Sequence, residues 1–173
     1  EAGGATFIAR GSTEAVLGEV ERCFADALGV ACQLVEDARL VPGGGATQVA
    51  LARRLRRYAE SIPGREQLGV EAFADALEVI PRVLAENAGL DPIDTLLNLV
   101  AAQSNAGEKG DQIGLNVLER QPANMVELGV IEPLLILDQG IAGATEAAIS
   151  VLRIDDVLWA KQDPAMAEVP DLG

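Results

Sequence analysis

The sequence predicts a mainly α-helical fold with one small β-hairpin. Three observations predict it. About half of the 173 residues are apolar but only 3% are aromatic, so the core must be built from Ala, Leu, Val and Ile, which pack helix against helix. Apolar residues recur every three to four positions through most of the chain, in runs punctuated by Gly and Pro. Between Gly107 and Val130 that period is lost. A chain of this length can bury a core of its own, and one domain plus an appendage is the natural organisation.

In chain order, Ala5 to Gly11 reads as a short strand closed by a glycine, without an obvious partner downstream. Ser12 or Thr13 then caps a helix whose early turns carry Glu14 and Glu19. Its apolar stripe is Val16, Val20, Phe24, Ala27, Ala31 and Val35, with the acid Asp26 on the buried side. This helix runs into the turn Pro42-Gly43-Gly44-Gly45. A second helix, from about Gly45 to Ile62, turns Val49, Ala52, Leu55 and Ala59 inward. Arg53, Arg54, Arg56 and Arg57 fill much of its remainder, and Pro63-Gly64 stops it.

A third helix spans roughly Arg65 to Asn87 with Val70, Phe73, Leu77, Ile80 and Leu84 inward, kinked by Pro81, which removes a backbone donor. Asp91, Pro92 and Asp94 give a clear start to a fourth, which finishes before Gly107. Leu115 to Leu118 can form a strand that returns through Gln121-Pro122-Ala123-Asn124 towards Met125 to Leu128. Glu132-Pro133 opens the last long helix, to about Val157, with small-residue notches at Gly140 and Gly143. The acidic stretch from Gln162 to Gly173 is expected to be disordered.

Charge and composition exclude several functions. With 27 acids against 13 bases and a formal net charge of -14, the chain repels nucleic-acid backbones and anionic membranes. Lys109 and Lys161 are its only lysines. An acidic, lysine-poor surface suits a high-salt cytoplasm, where self-repulsion is screened over about 3 Å near 1 M salt. No signal peptide, membrane-spanning run or disulfide framework is expected, and the cytoplasm is the default compartment. Cys23 and Cys32 are separated by about 13 Å along one helix, too far to bond to each other. The sequence contains no histidine, so any catalysis must rest on carboxylates, backbone amides and a metal brought in with the substrate.

The chemistry-bearing candidates are few. Gly43-Gly44-Gly45 at a helix start offers bare amides and the positive end of a helix dipole, which suits a nucleotide; it also reads as a hinge or an ordinary turn. Asp26, among Phe24, Ala25, Ala27 and Leu28, is a carboxylate in a costly setting, or a helix residue at the edge of the apolar face. By itself Glu132 before Pro133 is a helix-start residue.

Together the blocks ERCFADALGV, LVPGGGATQVALARRLR, EAFADALEVIPRVLAENAGLDPID, GLNV, ELGVIEPL and RIDD strongly resemble the C-terminal part of a group II chaperonin subunit, the family of the archaeal thermosome and its eukaryotic cytosolic relatives. The resemblance covers nearly everything from Ala5 to Val157. It implies that residues 1–11 end an apical domain, 12–40 form an intermediate-domain helix, 41–161 form the C-terminal half of an equatorial, ATP-binding domain, and 162–173 form a disordered acidic tail.

It also implies ATP or ADP with Mg2+ as cofactor, identical or homologous subunits in stacked rings and unfolded client proteins as partners, and neither nucleic acid nor membrane. Asp26 would position the attacking water. Gly44, flanked by Gly43 and Gly45, would run along the ribose and base, Glu132 would hold the ribose hydroxyls, and Asn116 would lie beside the base. The family's GDGTT-like phosphate loop and magnesium-binding aspartate are not in this sequence, so no metal ligand is expected here and these residues alone should be inactive. The competing reading is a non-catalytic ring-assembly module. The acidic composition adds an expectation of a haloarchaeal source.

Overall fold

The structure is a computed structural model that describes residues 3–155. It divides into two compact units, Glu1–Leu137 and Asp138–Gly173. The expected disordered tail, 162–173, lies outside the described residues.

The first helix, α1 (Glu14–Glu36), begins where Thr13 accepts a hydrogen bond from the Val16 amide at 3.3 Å, satisfying one of the amides a helix start leaves open. Its apolar stripe is present, yet none of its residues is buried. Residues 3–11 form no strand, contrary to the sequence expectation. A strand needs a hydrogen-bonded neighbour, and what this segment finds instead is a ring stack, Phe7 on Phe24 with centroids 4.3 Å apart.

The core of the first unit lies around α2 (Ala46–Ala59), which packs on α3 (Glu66–Leu77), α4 (Val79–Asn87) and α5 (Pro92–Asn105). Val49, Ala52 and Ala59 of α2 are fully buried, as expected, and meet Ala74, Ala85 and Leu99 in the same core. Phe73 and Ile80, expected inward, are instead 37% and 49% exposed. In the same helices Ala74, Leu77 (expected inward) and Ala85 take the core positions. Asp91 caps α5 by accepting from the amides of Ile93 and Asp94, both at 2.9 Å.

The expected kink is a full break. A helical amide at position 81 would bond the carbonyl of Leu77, and proline has none to offer; α3 ends at that residue. Glu78 sits in the break, 2% exposed. Its carboxylate accepts from both guanidinium nitrogens of Arg56, one at 2.8 Å, and from Arg82 at 3.3 Å. Arg56 also bonds Asp75 at 2.7 Å. Gln103, 1% exposed, is a second polar tie: its amide nitrogen donates to the carbonyls of Ala46 (2.9 Å) and Ile113 (2.8 Å).

After a 3-10 turn (Gly107–Gln112), β2 (Ile113–Asn116) pairs antiparallel with β3 (Gln121–Asn124), Ile113 opposite Asn124. Gln121 to Asn124 is therefore the returning strand and not the turn the sequence suggested. Met125 to Leu128 is a turn, held by Asn124 Oδ1 accepting from the amides of Val126 (3.0 Å) and Glu127 (3.3 Å). A second ladder pairs β1 (Leu40–Pro42) with β4 (Ile131–Pro133), Val41 opposite Glu132. Glu132 and Pro133 thus end a strand, and the last helix, α6 (Leu134–Leu152), starts only after them.

No residue of α6 is buried. Contrary to the sequence expectation, α6 is long and apolar enough to cross a membrane by length and composition. It shares that property with helices covered by protein.

Candidate functional site

The turn between β1 and α2 organises the site. Gly44 and Gly45 have φ of 61° and 74°, a left-handed conformation open to glycine at little cost. The turn is stitched to two distant segments: the Gly43 amide donates to the Val130 carbonyl at 3.0 Å, and the Leu115 amide donates to the Gly44 carbonyl at 2.8 Å. Space is as restrictive as torsion. A Cβ on Gly44 would lie 2.6 Å from Met125 Sδ and 3.0 Å from the Leu115 carbonyl.

Beside this turn lies a cavity of about 420 Å³, walled by the glycine turn, α4, the β2–β3 hairpin and β4. Its lining is apolar apart from three side chains, Asn87, Asn116 and Glu132. Of the sequence candidates, Gly44, Gly45, Asn116 and Glu132 all line it. Gly43 stands just behind. Its own amide is spent on Val130, and a Cβ there would meet Glu132 Oε1 at 3.1 Å. The expected row of bare amides is thus reduced to Gly44 and Gly45, whose N–H groups donate no backbone hydrogen bond among the described residues, while their carbonyls accept from Leu115 and Val49.

Each polar group has a distinct state. Glu132 is half-buried and makes no ion pair among the described residues, and burial pushes its carboxyl above the ordinary glutamate range. Asn116 has a structural task as well: its Oδ1 accepts from the amides of Leu118 (3.0 Å) and Glu119 (3.3 Å), closing the hairpin turn. Its amide nitrogen remains free of hydrogen bonds among the described residues. Asp26 does not line the cavity. It is exposed on α1, not on a buried side, because α1 buries no residue against the rest of its unit.

The cavity wall contributed by α4 was only partly visible beforehand. Leu84 and the half-exposed Ile80, both from the expected apolar stripe, line the cavity; Asn87, one helical turn further, completes the same stripe. Extending the three-to-four spacing past the last apolar residue would have found it. The chemistry available is recognition of a flat apolar body with polar edges, by apolar walls, open glycine amides, two carboxamides and one carboxylate. Among the described residues no three Cys, Asp or Glu side chains are grouped to hold a metal.

The TCP-1/cpn60 chaperonin family model matches residues 1–162. The thermosome subunit of Methanocaldococcus jannaschii is 54% identical over 171 residues, covering 97% of this chain and 31% of the relative. Thermosome subunit beta of Halobacterium salinarum is 52% identical over 160 residues, covering 92% and 28%. Among solved structures, the open-state monomer of a group II chaperonin from Methanococcoides burtonii matches with a TM-score of 0.68 and 47% identity, over 83% of this chain and 35% of that one. The chain therefore spans about a third of the length of these relatives.

Proposed function

The chain belongs to the TCP-1/cpn60 chaperonin family, among the group II thermosome subunits, and from that premise we propose that it is part of an ATP-dependent chaperonin subunit that assists protein folding in stacked rings. In this reading residues 1–11 close the apical domain, 12–40 are the intermediate-domain helix and 41–161 the C-terminal half of the equatorial domain. The partners are further subunits and unfolded clients. The acidic surface is an adaptation to a salty cytoplasm.

The observation that carries the proposal is the convergence of Gly44, Gly45, Asn116 and Glu132, from three separate stretches of chain, on one apolar cavity. It supports a site for the base and ribose of ATP or ADP, with Glu132 accepting from the ribose hydroxyls. The phosphates and their Mg2+ are left to residues beyond this sequence. Asp26, exposed on α1, acts only after closure about Pro42 to Gly45 swings it over the nucleotide, coupling hydrolysis to domain movement.

Equilibrium dialysis and turnover assays on the 173-residue chain test this. ADP binds weakly and Glu132→Ala abolishes the binding, while ATP hydrolysis stays at background. Steady hydrolysis by this chain, lost in Asp26→Ala, would overturn the division of labour. A non-catalytic ring-assembly module, the reading favoured by the fully unburied α6, predicts no nucleotide binding at all.

A further inference from the structure

We infer that Asn87 is the residue that selects the base, reading adenine in preference to guanine. The inference rests on the proposed nucleotide site and assigns it a specificity determinant. Among the described residues the cavity offers a base three polar side chains, and elimination among them is chemical. Asn116 has committed its carbonyl oxygen to two backbone amides, so it can only donate. Glu132 as a carboxylate can only accept. Asn87 alone presents a donor and an acceptor side by side, since its side chain makes no hydrogen bond among the described residues.

Its position suits the task. Asn87 is the last residue of α4, exposed, and in helical phase with Ile80 and Leu84 on the cavity wall. A base lying between the apolar walls would present its edge to that position. Adenine gives a carboxamide a matched acceptor and donor on either edge, N6 with N1 or N6 with N7. Guanine presents two acceptors on its N7/O6 edge, where a carboxamide oxygen is repelled. On its other edge guanine adds an exocyclic amine that needs an acceptor; the Asn116 oxygen is already taken, and in the proposed site Glu132 is engaged by the ribose hydroxyls.

The test uses the full 173-residue chain with adenosine and guanosine as probes, so that phosphate binding does not enter. Affinities are measured by NMR titration for the wild type, Asn87→Leu and Asn87→Ala. Wild type should prefer adenosine by about tenfold, the usual discrimination of a bidentate amide. Both variants should lose most of that ratio through weaker adenosine binding, with unchanged circular dichroism. An unchanged ratio in the two variants, with adenosine still bound and Glu132→Ala still weakening it, overturns the role of Asn87 and leaves the nucleotide site standing. If the wild type binds neither nucleoside saturably, the site itself falls and this inference with it.

Discussion

At the scale of single residues, the site is built from backbone that only glycine tolerates and a carboxylate the fold would rather neutralise. Gly44→Ala meets both a left-handed φ of 61° and contacts of 2.6 and 3.0 Å. Gly129→Ala has a similar φ of 72° but open space. The first should cost about 3 kcal/mol or more and the second about 1 kcal/mol, the left-handed penalty alone, read from urea midpoints. Equal losses would show that the close approach at Gly44 is relieved at no cost. Glu132 gives a pH-dependent counterpart. Its carboxyl is raised by burial, so the folded state holds its proton to higher pH than the unfolded chain. Its ionisation therefore opposes folding: the penalty is absent below the unfolded glutamate range and fully present once pH rises through the folded value. Glu132→Gln should stabilise the chain at neutral pH, with the gain vanishing near pH 4, while nucleotide binding weakens. A gain that persisted at the acid end would place its cause in packing instead.

At the scale of elements, the long helices were legible because their signals are local: the Asp91-Pro92 start, the Pro63-Gly64 stop and the three-to-four period. The β1–β4 ladder was not. Each of its strands is three residues long, too short for alternation to register, and its partners are far apart in sequence. Glu132-Pro133 reads equally well as a helix start when the opposing strand is unknown. The α3–α4 break was half legible, since Pro81 announced it but the acid that fills it did not stand out. That acid carries the strongest prediction at this scale. Arg56 bonds both Glu78 and Asp75, and these carboxylates hold its guanidinium more firmly protonated than usual. Arg56→Leu leaves Glu78, 2% exposed, with only the longer contact to Arg82 among the described residues. Burying a poorly paired carboxylate should cost about 2 to 3 kcal/mol, below the usual range for a fully buried pair because Arg56 itself is partly exposed. Arg56→Leu with Glu78→Leu removes the uncompensated charge as well. Chemical denaturation should find the double variant more stable than the single one, and a further loss of stability would refute the argument.

At the scale of the whole molecule, the candidate site was legible as a set of residues but not as a geometry. Gly44, Asn116 and Glu132 line one cavity, whereas Asp26, on the unburied helix α1, stays outside it. No local pattern could have separated them, because an amphipathic stripe looks the same whether or not a partner covers it. The same exposure sets the balance of forces for the chain as a whole. Val35, Leu152 and Leu118 are more than 80% exposed, so apolar surface favours self-association, while a formal net charge of -14 opposes both association and compactness. Salt decides between them. Raising KCl from 0.1 to 1 M shortens the screening length from about 10 to about 3 Å, which removes repulsion between acids while leaving the close Arg56–Glu78 contact largely intact. The thermal midpoint should therefore rise with KCl, most steeply below about 0.5 M where screening changes fastest, and sedimentation should show oligomers forming over the same range. Sucrose, which strengthens burial without screening charge, separates the two contributions. A midpoint that responds to sucrose but is flat in KCl would mean that self-repulsion does not limit this fold.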